Sequence, residues 1–363
     1  MKLDKIIKTI DSFAPFFLQE EYDNSGLQFG DEDSEINKIL ISLDLSQEVV
    51  EESIERRANL IITHHPPIFK PISSITRTKN CSLYTAIVNG VNVLSAHTNY
   101  DLSKDGLNDY VGKLLRIKKS EPIIRSKEKV FKLVTYVPQS FEEKVKNALF
   151  ENGAGRIGNY SETSFTSKGT GTFKPQEGSN PFIGKINERA NVEEVKIETV
   201  ISERFLQKAL YALKKVHPYE EPAIDIFEIN YLNEEGVGLI GSIDLQGNIN
   251  EFALYVKKAL NTKYIRIVKT NNKIIRKVAL CTGSGSSLIE NLSSNTVDVF
   301  ITGDTNYHQA LKAKEKGINL IDIDHFETEK FFPQSIYKKL IEAGIKKNLL
   351  YQSKVQKPVF KIV

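Results

Sequence analysis

Cysteine is almost absent from this 363-residue chain: Cys81 and Cys281 are the only two, at no paired spacing. That excludes a disulfide-stapled scaffold and makes a reducing, cytoplasmic setting the expectation, with each cysteine serving as a small apolar side chain. No run of about 20 apolar residues occurs, so no membrane-spanning helix is expected. Met1 to Ile10 reads as an amphipathic helix, not as a secretion signal. An excess of one charge is missing too: 49 Lys and Arg stand against 46 Asp and Glu, a net charge of +3. The basic residues are scattered, which leaves no nucleic-acid or membrane footprint, and runs such as Arg116 to Lys119 read as solvated faces. Nor is there a Gly-Lys-Ser/Thr phosphate loop or an Asn-Lys-x-Asp guanine motif.

What is present is ordered. The chain is too long for one typical core and invites two domains. Up to about residue 127, strand-like runs (Ile39 to Leu43, Leu60 to Ile62, Val91 to Leu94) alternate with helical patterns (Gln47 to Arg57, Leu83 to Val88, Leu107 to Leu115). The alternation resumes after residue 233, with Lys277 to Cys281, Val297 to Ile301 and Ile318 to Ile321 separated by helical stretches at Ser287 to Leu292 and Tyr307 to Glu315. Such alternation predicts an α/β layered fold. Between the halves, Val130 to Val137, Phe141 to Glu151, Ser164 to Phe173, Val195 to Ser202, Leu206 to Val216 and Ile224 to Ile229 read as β-α-β-β-α-β, the ferredoxin-like order. The expectation is a two-half α/β metal-binding domain, residues 1–127 and 233–363, with an inserted α+β ferredoxin-like domain at residues 128–232.

Histidines and carboxylates collect at the ends of the apolar runs. His64-His65 follows Leu60-Ile-Ile, Asp101 follows Val91 to Leu94, and His325-x-x-x-Glu329 follows Ile318 to Ile321. All three pieces are therefore expected at strand ends of one sheet, in a cleft between the halves. Imidazole and carboxylate together suit zinc, iron or manganese. Neighbouring histidines of a regular strand point to opposite faces, so His64 and His65 can act together only where the chain has left the strand, and Pro66-Pro67 favours that. If Glu329 lies in a helix, its spacing from His325 puts both on one face, where Glu329 could bridge two ions. In isolation the same features read as an incidental turn and a helix cap.

Several longer stretches carry a family resemblance. Leu60-Ile-Ile-Thr-His64-His65-Pro66-Pro67-Ile-Phe69, Ala96-His97-Thr98-Asn99-Tyr-Asp101, Asp298-Val-Phe-Ile-Thr302-Gly303-Asp304-x-x-Tyr307-His308 and Asp322-Ile-Asp-His325-Phe-x-Thr328-Glu329 resemble the Nif-three-like dinuclear metal-centre family, often labelled GTP cyclohydrolase 1 type 2 homologues. Tyr22-Asp23-Asn24-Ser-Gly26-Leu27-Gln28-x-Gly30 and Cys281-x-Gly283-Ser284-Gly285-Ser286 match it too. Asp324 departs from the pattern, since many members have Gly before the metal histidine. The resemblance implies two divalent ions per chain held by His64, His65, Asp101, His325 and Glu329, an inserted domain of the long form, and a homohexamer. It places His97 and His308 in matching motifs, as groups for acid-base work, substrate contact or support of the ligands.

Two functions follow as expectations. Open positions on two ions suit a metal-dependent hydrolase of a nucleotide, phosphoester or cyclic amide, and Gly283 to Ser287, expected between a strand and a helix, could receive the anion of a phosphorylated small molecule. The alternative is a non-enzymatic metal-binding or regulatory protein whose insert senses a ligand or partner. Within the insert, Gly153 to Tyr160, Gly169-Thr-Gly171-Thr-Phe173 and His217-Pro218-Tyr219-Glu220-Glu221-Pro222 read either as a binding surface or as turn chemistry. His217 is not assigned to the metals.

Overall fold

The computed structural model describes residues 1–158, 160–230, 234–245 and 247–360. The chain divides into two compact units, Met1–Ser126 with Glu234–Val363, and Lys127–Asn233. The expected boundary between residues 232 and 233 lies outside the described residues.

In the first unit the β-branched runs become strands buried at every position, Ile39–Ser42, Leu60–Thr63 and Asn92–Ser95. Burial on both faces is what parallel strands require. They form a five-stranded sheet in the order Gly26–Phe29, Asn92–Ser95, Leu60–Thr63, Ile39–Ser42, Leu350–Gln352, in which only the first strand runs antiparallel. Lys277–Leu280, Val299–Thr302 and Asn319–Asp322 are the parallel centre of a six-stranded sheet. Its antiparallel flanks are Arg266–Val268 on one side and Leu239–Ser242 followed by Lys118–Glu121 on the other.

The candidate ligands consequently leave two sheets, not one. His64 and Asp101 follow strands of the five-stranded sheet, whereas His325 follows Asn319–Asp322 of the six-stranded sheet. An apolar β-branched run encodes burial but not the identity of its neighbour, which is why its sequence could not reveal this. The two sheets also exchange edges: Leu350–Gln352 joins the sheet of the first half, and Lys118–Glu121 joins that of the second. One apolar cluster spans both sheets, with Ile41 and Ile62 from one, Leu280 and Ile301 from the other, and Leu3, Ile6, Ile10, Phe252 and Phe332 from helices. Helix Leu3–Phe13 buries Leu3, Ile6 and Ile10, the spacing of one helical face.

Two further differences bear on the site. The stretch expected as a helix over Ser287 to Leu292 is a six-residue 3-10 segment, Ser286–Asn291. Short helices that the strand patterns did not suggest, Thr98–Leu102 and His325–Glu329, carry Asp101 and Glu329.

The second unit runs strand Val130–Pro138, helix Glu142–Glu151, strands Ser164–Phe173 and Ala190–Ser202, helix Glu203–Val216 and strand Ile224–Ile229. Its four strands form an antiparallel sheet in the order Ile224–Ile229, Val130–Pro138, Ala190–Ser202, Ser164–Phe173. Leu133, Val137 and Ile197 of the sheet pack on Val145, Leu149, Ala209 and Leu213 of the helices. No helix among the described residues is long and apolar enough to cross a membrane.

Candidate metal centre

Strand Leu60–Thr63 ends one residue before His64, and the next two backbone N–H groups, of His64 and His65, both donate to Leu43 O at 3.1 and 3.0 Å. The chain has thus left the ladder where the two imidazoles must point in a common direction. His64 is fully buried against the Phe332 ring, 4.7 Å between centroids.

Each of four imidazoles is fixed through Nδ1. His65 donates to Asp44 Oδ1, His97 to Asp23 Oδ1 and His325 to Asp304 Oδ2, each at 2.7 Å, while His64 donates to Ala96 O at 2.8 Å. An imidazole whose Nδ1–H is given away presents Nε2 as a lone pair, the arrangement that metal-binding histidines use. Sheet register explains two of these partners. Ser42 pairs with Thr63 in parallel strands, so Asp44 and His65, each two residues further on, emerge side by side. Likewise Thr302 pairs with Asp322, which brings Asp304 beside His325 just beyond the strand ends.

The Nε2 atoms and the carboxylates converge in three overlapping groups: His64 with Asp101 and Glu329, His65 with His325 and Glu329, and His64 with His65 and His97. Glu329 joins the first two. Its Oε1 lies 3.7 Å from His64 Nε2, which is 3.6 Å from Asp101 Oδ2. Its Oε2 lies 2.9 Å from both His65 Nε2 and His325 Nε2, which are 3.2 Å apart. Those two nitrogens are within hydrogen-bond reach of each other, whereas Glu329 Oε2, His64 Nε2 and Asp101 Oδ1 are buried without a hydrogen-bond partner. Buried polar atoms left in that state are costly unless a cation satisfies them.

The local chain is shaped around Glu329. A Cβ on Gly283 would lie 2.1 Å from Glu329 Oε1, so only glycine lets this loop approach the carboxylate. Thr328 Oγ1 accepts from Gly283 N–H at 2.8 Å and donates to His325 O. Asp324 has φ of 82°, which explains why glycine suits this position. Here the aspartate is compensated: its carboxylate caps helix His325–Glu329 by accepting from Phe326 N–H, and also accepts from the Tyr264 hydroxyl at 2.9 Å.

Electrostatics report the crowding. Burial pushes the Asp101 carboxyl up to about 7, with Glu329 adding to the rise and His64 opposing it. For Glu329 burial acts upward as well, but His64, His325 and His65 outweigh it and hold its carboxyl well below the usual range. Burial lowers His65, yet Asp44 and Glu329 overcome this and raise it to about 10; His325 is raised to about 9 in the same way, by Glu329 and Asp304. Without a cation, the carboxylates around them favour protons on His65 and His325.

Of the residues singled out in the sequence, His64, His65, His97, Asp101, His325 and Glu329 are brought together. His308 is not: it lies exposed on helix Tyr307–Glu315, against the Tyr307 ring. The glycine loop is also turned inward, since Gly283 N–H and Gly285 N–H are taken by Thr328 Oγ1 and Thr302 Oγ1. Asp44 and Asp23 were missed as partners; each follows or precedes a strand, but only register and the Tyr22-Asp23-Asn24 turn reveal what they hold. Asp23 also accepts from the Thr98 hydroxyl and backbone N–H and from Ser25 Oγ, and these bonds, with His97, overcome burial and lower its carboxyl strongly.

These features can be set beside known proteins. A model of the Duf34/NIF3 (NGG1p interacting factor 3) family matches residues 1–357. The chain is 40% identical over 340 residues to a Halalkalibacterium halodurans protein called GTP cyclohydrolase 1 type 2 homolog, covering 92% of this chain and 91% of that one. Its identity to the Bacillus subtilis protein of the same name is 35% over 340 residues, 93% and 91% of the two chains. A solved Bacillus cereus protein related to NIF3 superposes with a TM-score of 0.85 at 36% identity, covering 100% of this chain and 99% of that one. A family model spanning nearly the whole sequence, and relatives matched along most of their own length, make this chain a member of the Duf34/NIF3 family.

Proposed function

We propose that the protein binds two divalent cations and uses them to hydrolyse a nucleotide, phosphoester or cyclic amide. The observation that carries the reading is Glu329, whose two carboxylate oxygens face two separate groups, His64 with Asp101 and His65 with His325. The donors fit such ions: each is an imidazole nitrogen or a carboxylate oxygen, and three of them are buried without a partner. Zinc, iron and manganese are the ions this set accepts. Bound there, a divalent pair supplies polarisation of a carbonyl or phosphoryl oxygen and a water of lowered pKa.

The chain's own groups do the rest. Asp44, Asp304 and Ala96 O hold the rings of His65, His325 and His64 through Nδ1 with Nε2 toward the site, which reduces reorganisation when a cation is bound. His97 is held by Asp23 with Nε2 toward the same centre but stands outside the two groups that share Glu329. It is therefore the residue assigned to contact substrate and to accept or donate a proton at Nε2. The phosphate of a phosphorylated substrate would meet the metal centre rather than the glycine loop, whose Gly283 and Gly285 N–H groups are already bonded.

Residues 128–232 form, in this proposal, an inserted ferredoxin-like domain, supported by the β-α-β-β-α-β order and by the antiparallel arrangement of the sheet. A cytoplasmic homohexamer belongs to the same reading and comes from the family resemblance and the unpaired cysteines; sedimentation should give the mass of six chains. Hydrolysis is tested by loading the protein with each metal and assaying nucleotides, phosphodiesters and cyclic amides. Turnover that disappears on chelation supports the reading, and no turnover with any class at full occupancy contradicts it.

A further inference from the structure

Two stretches that the metal centre does not use, Gly171-Thr-Phe173 and Tyr219-Glu220-Glu221, meet in the Lys127–Asn233 unit. With the loop around Phe182 they line a cavity of about 670 Å³. That volume lies within the ordinary range for a small-molecule site.

Phe173, Phe182 and Tyr219 supply aromatic walls, and the charged groups of the lining are Lys174 against Glu194, Glu220 and Glu221. The ring centroid of Phe173 is 5.7 Å from that of Tyr219, and that of Phe182 is 6.5 Å from Tyr219. Phe182 is 54% exposed, so a ligand in the cavity would bury an apolar face that is now wet. At the base is Glu194, only 9% exposed. Tyr219 Oη donates to Glu194 Oε1 at 2.7 Å, and among the described residues no lysine or arginine makes an ion pair with this carboxylate. A Cβ on Gly171 would sit 2.0 Å from Glu194 Oε2, so glycine is what allows the neighbouring strand to pass over the carboxylate.

His217 fixes this geometry without entering the cavity. Its Nε2–H donates to Tyr136 O at 3.0 Å and its Nδ1 accepts from Tyr219 N–H at 3.1 Å, which aims the Tyr219 ring. Burial lowers its basicity, keeping the imidazole neutral in this role. Glu220 Oε2 accepts from Asn180 N–H at 2.9 Å and ties down the loop that carries Phe182. Tyr219 cannot neutralise Glu194, because burial and the carboxylate both raise its hydroxyl far above neutral pH.

We infer that this cavity binds a small organic cation bearing N–H groups, an amidinium, guanidinium or alkylammonium, with its charge on Glu194 and its body between Phe173, Phe182 and Tyr219. This carboxylate carries a tyrosine hydroxyl but no lysine or arginine, so a ligand cation can pair with it while the aromatic faces attract that cation further. The free positions on Glu194 favour a cation that hydrogen-bonds over a quaternary one. This inference is independent of the metal reading.

Benzamidinium is the probe, with neutral benzamide of nearly the same shape as its control, titrated calorimetrically into the full chain. Benzamidinium should bind at least about tenfold more tightly than benzamide, the scale of a charge-assisted hydrogen-bonded pair. Glu194→Gln, in which Tyr219 keeps an acceptor, should erase that preference. Phe182→Ala, at an exposed position with little consequence for folding, should weaken benzamidinium severalfold. Equal affinity for the two probes, no binding of either, or a preference that survives Glu194→Gln would overturn the inference.

Discussion

His64 and His217 are both buried histidines that use one ring nitrogen to donate to a backbone carbonyl, yet their second nitrogens are used differently. The second nitrogen of His217 accepts from Tyr219 N–H, so the ring is a closed part of a turn. The second nitrogen of His64 has no partner and faces Asp101 and Glu329. Burial and residue type are alike in the two regions. What separates the two is the unmet valence of His64 Nε2, and around His64 that unmet valence recurs on the Asp101 and Glu329 carboxylates.

The sharpest way to break this contrast is to remove the residue shared by both groups. Glu329→Ala should lower bound metal from two ions per chain toward none while the fold survives, because the apolar cluster spanning both sheets does not depend on a metal. Elemental analysis with circular dichroism checks both halves of that statement. His97→Ala should keep the metal and lower turnover by about 10²–10⁴-fold, the range for a positioned acid-base group. Loss of metal instead would mean that His97 is itself a ligand.

Smaller effects sharpen the comparison. Asp44→Ala or Asp304→Ala leaves every metal donor in place but frees an imidazole to turn, and metal affinity should fall by about 10–100-fold in competition with a chelator. Protons provide an independent measure. His65 and His325 are raised to about 10 and about 9 in the metal-free centre, so at neutral pH both carry protons that a metal must displace. Binding should therefore release between about one and two protons per chain, and affinity should rise with pH until the histidines have titrated. Calorimetry in buffers of different ionisation enthalpy reads the number. At the small end, His217→Ala should not change metal content at all, and should cost stability of about 1–3 kcal/mol through the polar groups it leaves unpaired.

Much of this was legible in the sequence. The runs Leu60-Ile-Ile, Ile39-Leu-Ile and Asn319-Leu-Ile became buried strands because β-branched side chains covered on both faces have few alternatives. Strand Ser164–Phe173 and helix Tyr307–Glu315 fall where the pattern put them, the latter started by Asn306 with Gln309 as a capping box. The spacing of His325 and Glu329 anticipated their one-turn separation. The division into two sheets was hidden, because the edge strands Lys118–Glu121 and Leu350–Gln352 are too short and polar to announce their partners. Asp44 was hidden for a related reason: its tie to His65 is a matter of parallel register between strands that begin 21 residues apart. The glycine loop was ambiguous, since a Gly-Ser-Gly-Ser run does not show which of its N–H groups, like those of Gly283 and Gly285 here, are taken by threonines.

The most direct measurement is anomalous diffraction from crystals of the metal-loaded protein. Two peaks are predicted, one among His64, Asp101 and Glu329 and the other among His65, His325 and Glu329, with ligand distances of about 2.0–2.2 Å and Glu329 touching both. A single peak, or two peaks neither of which is reached by Glu329, would contradict it.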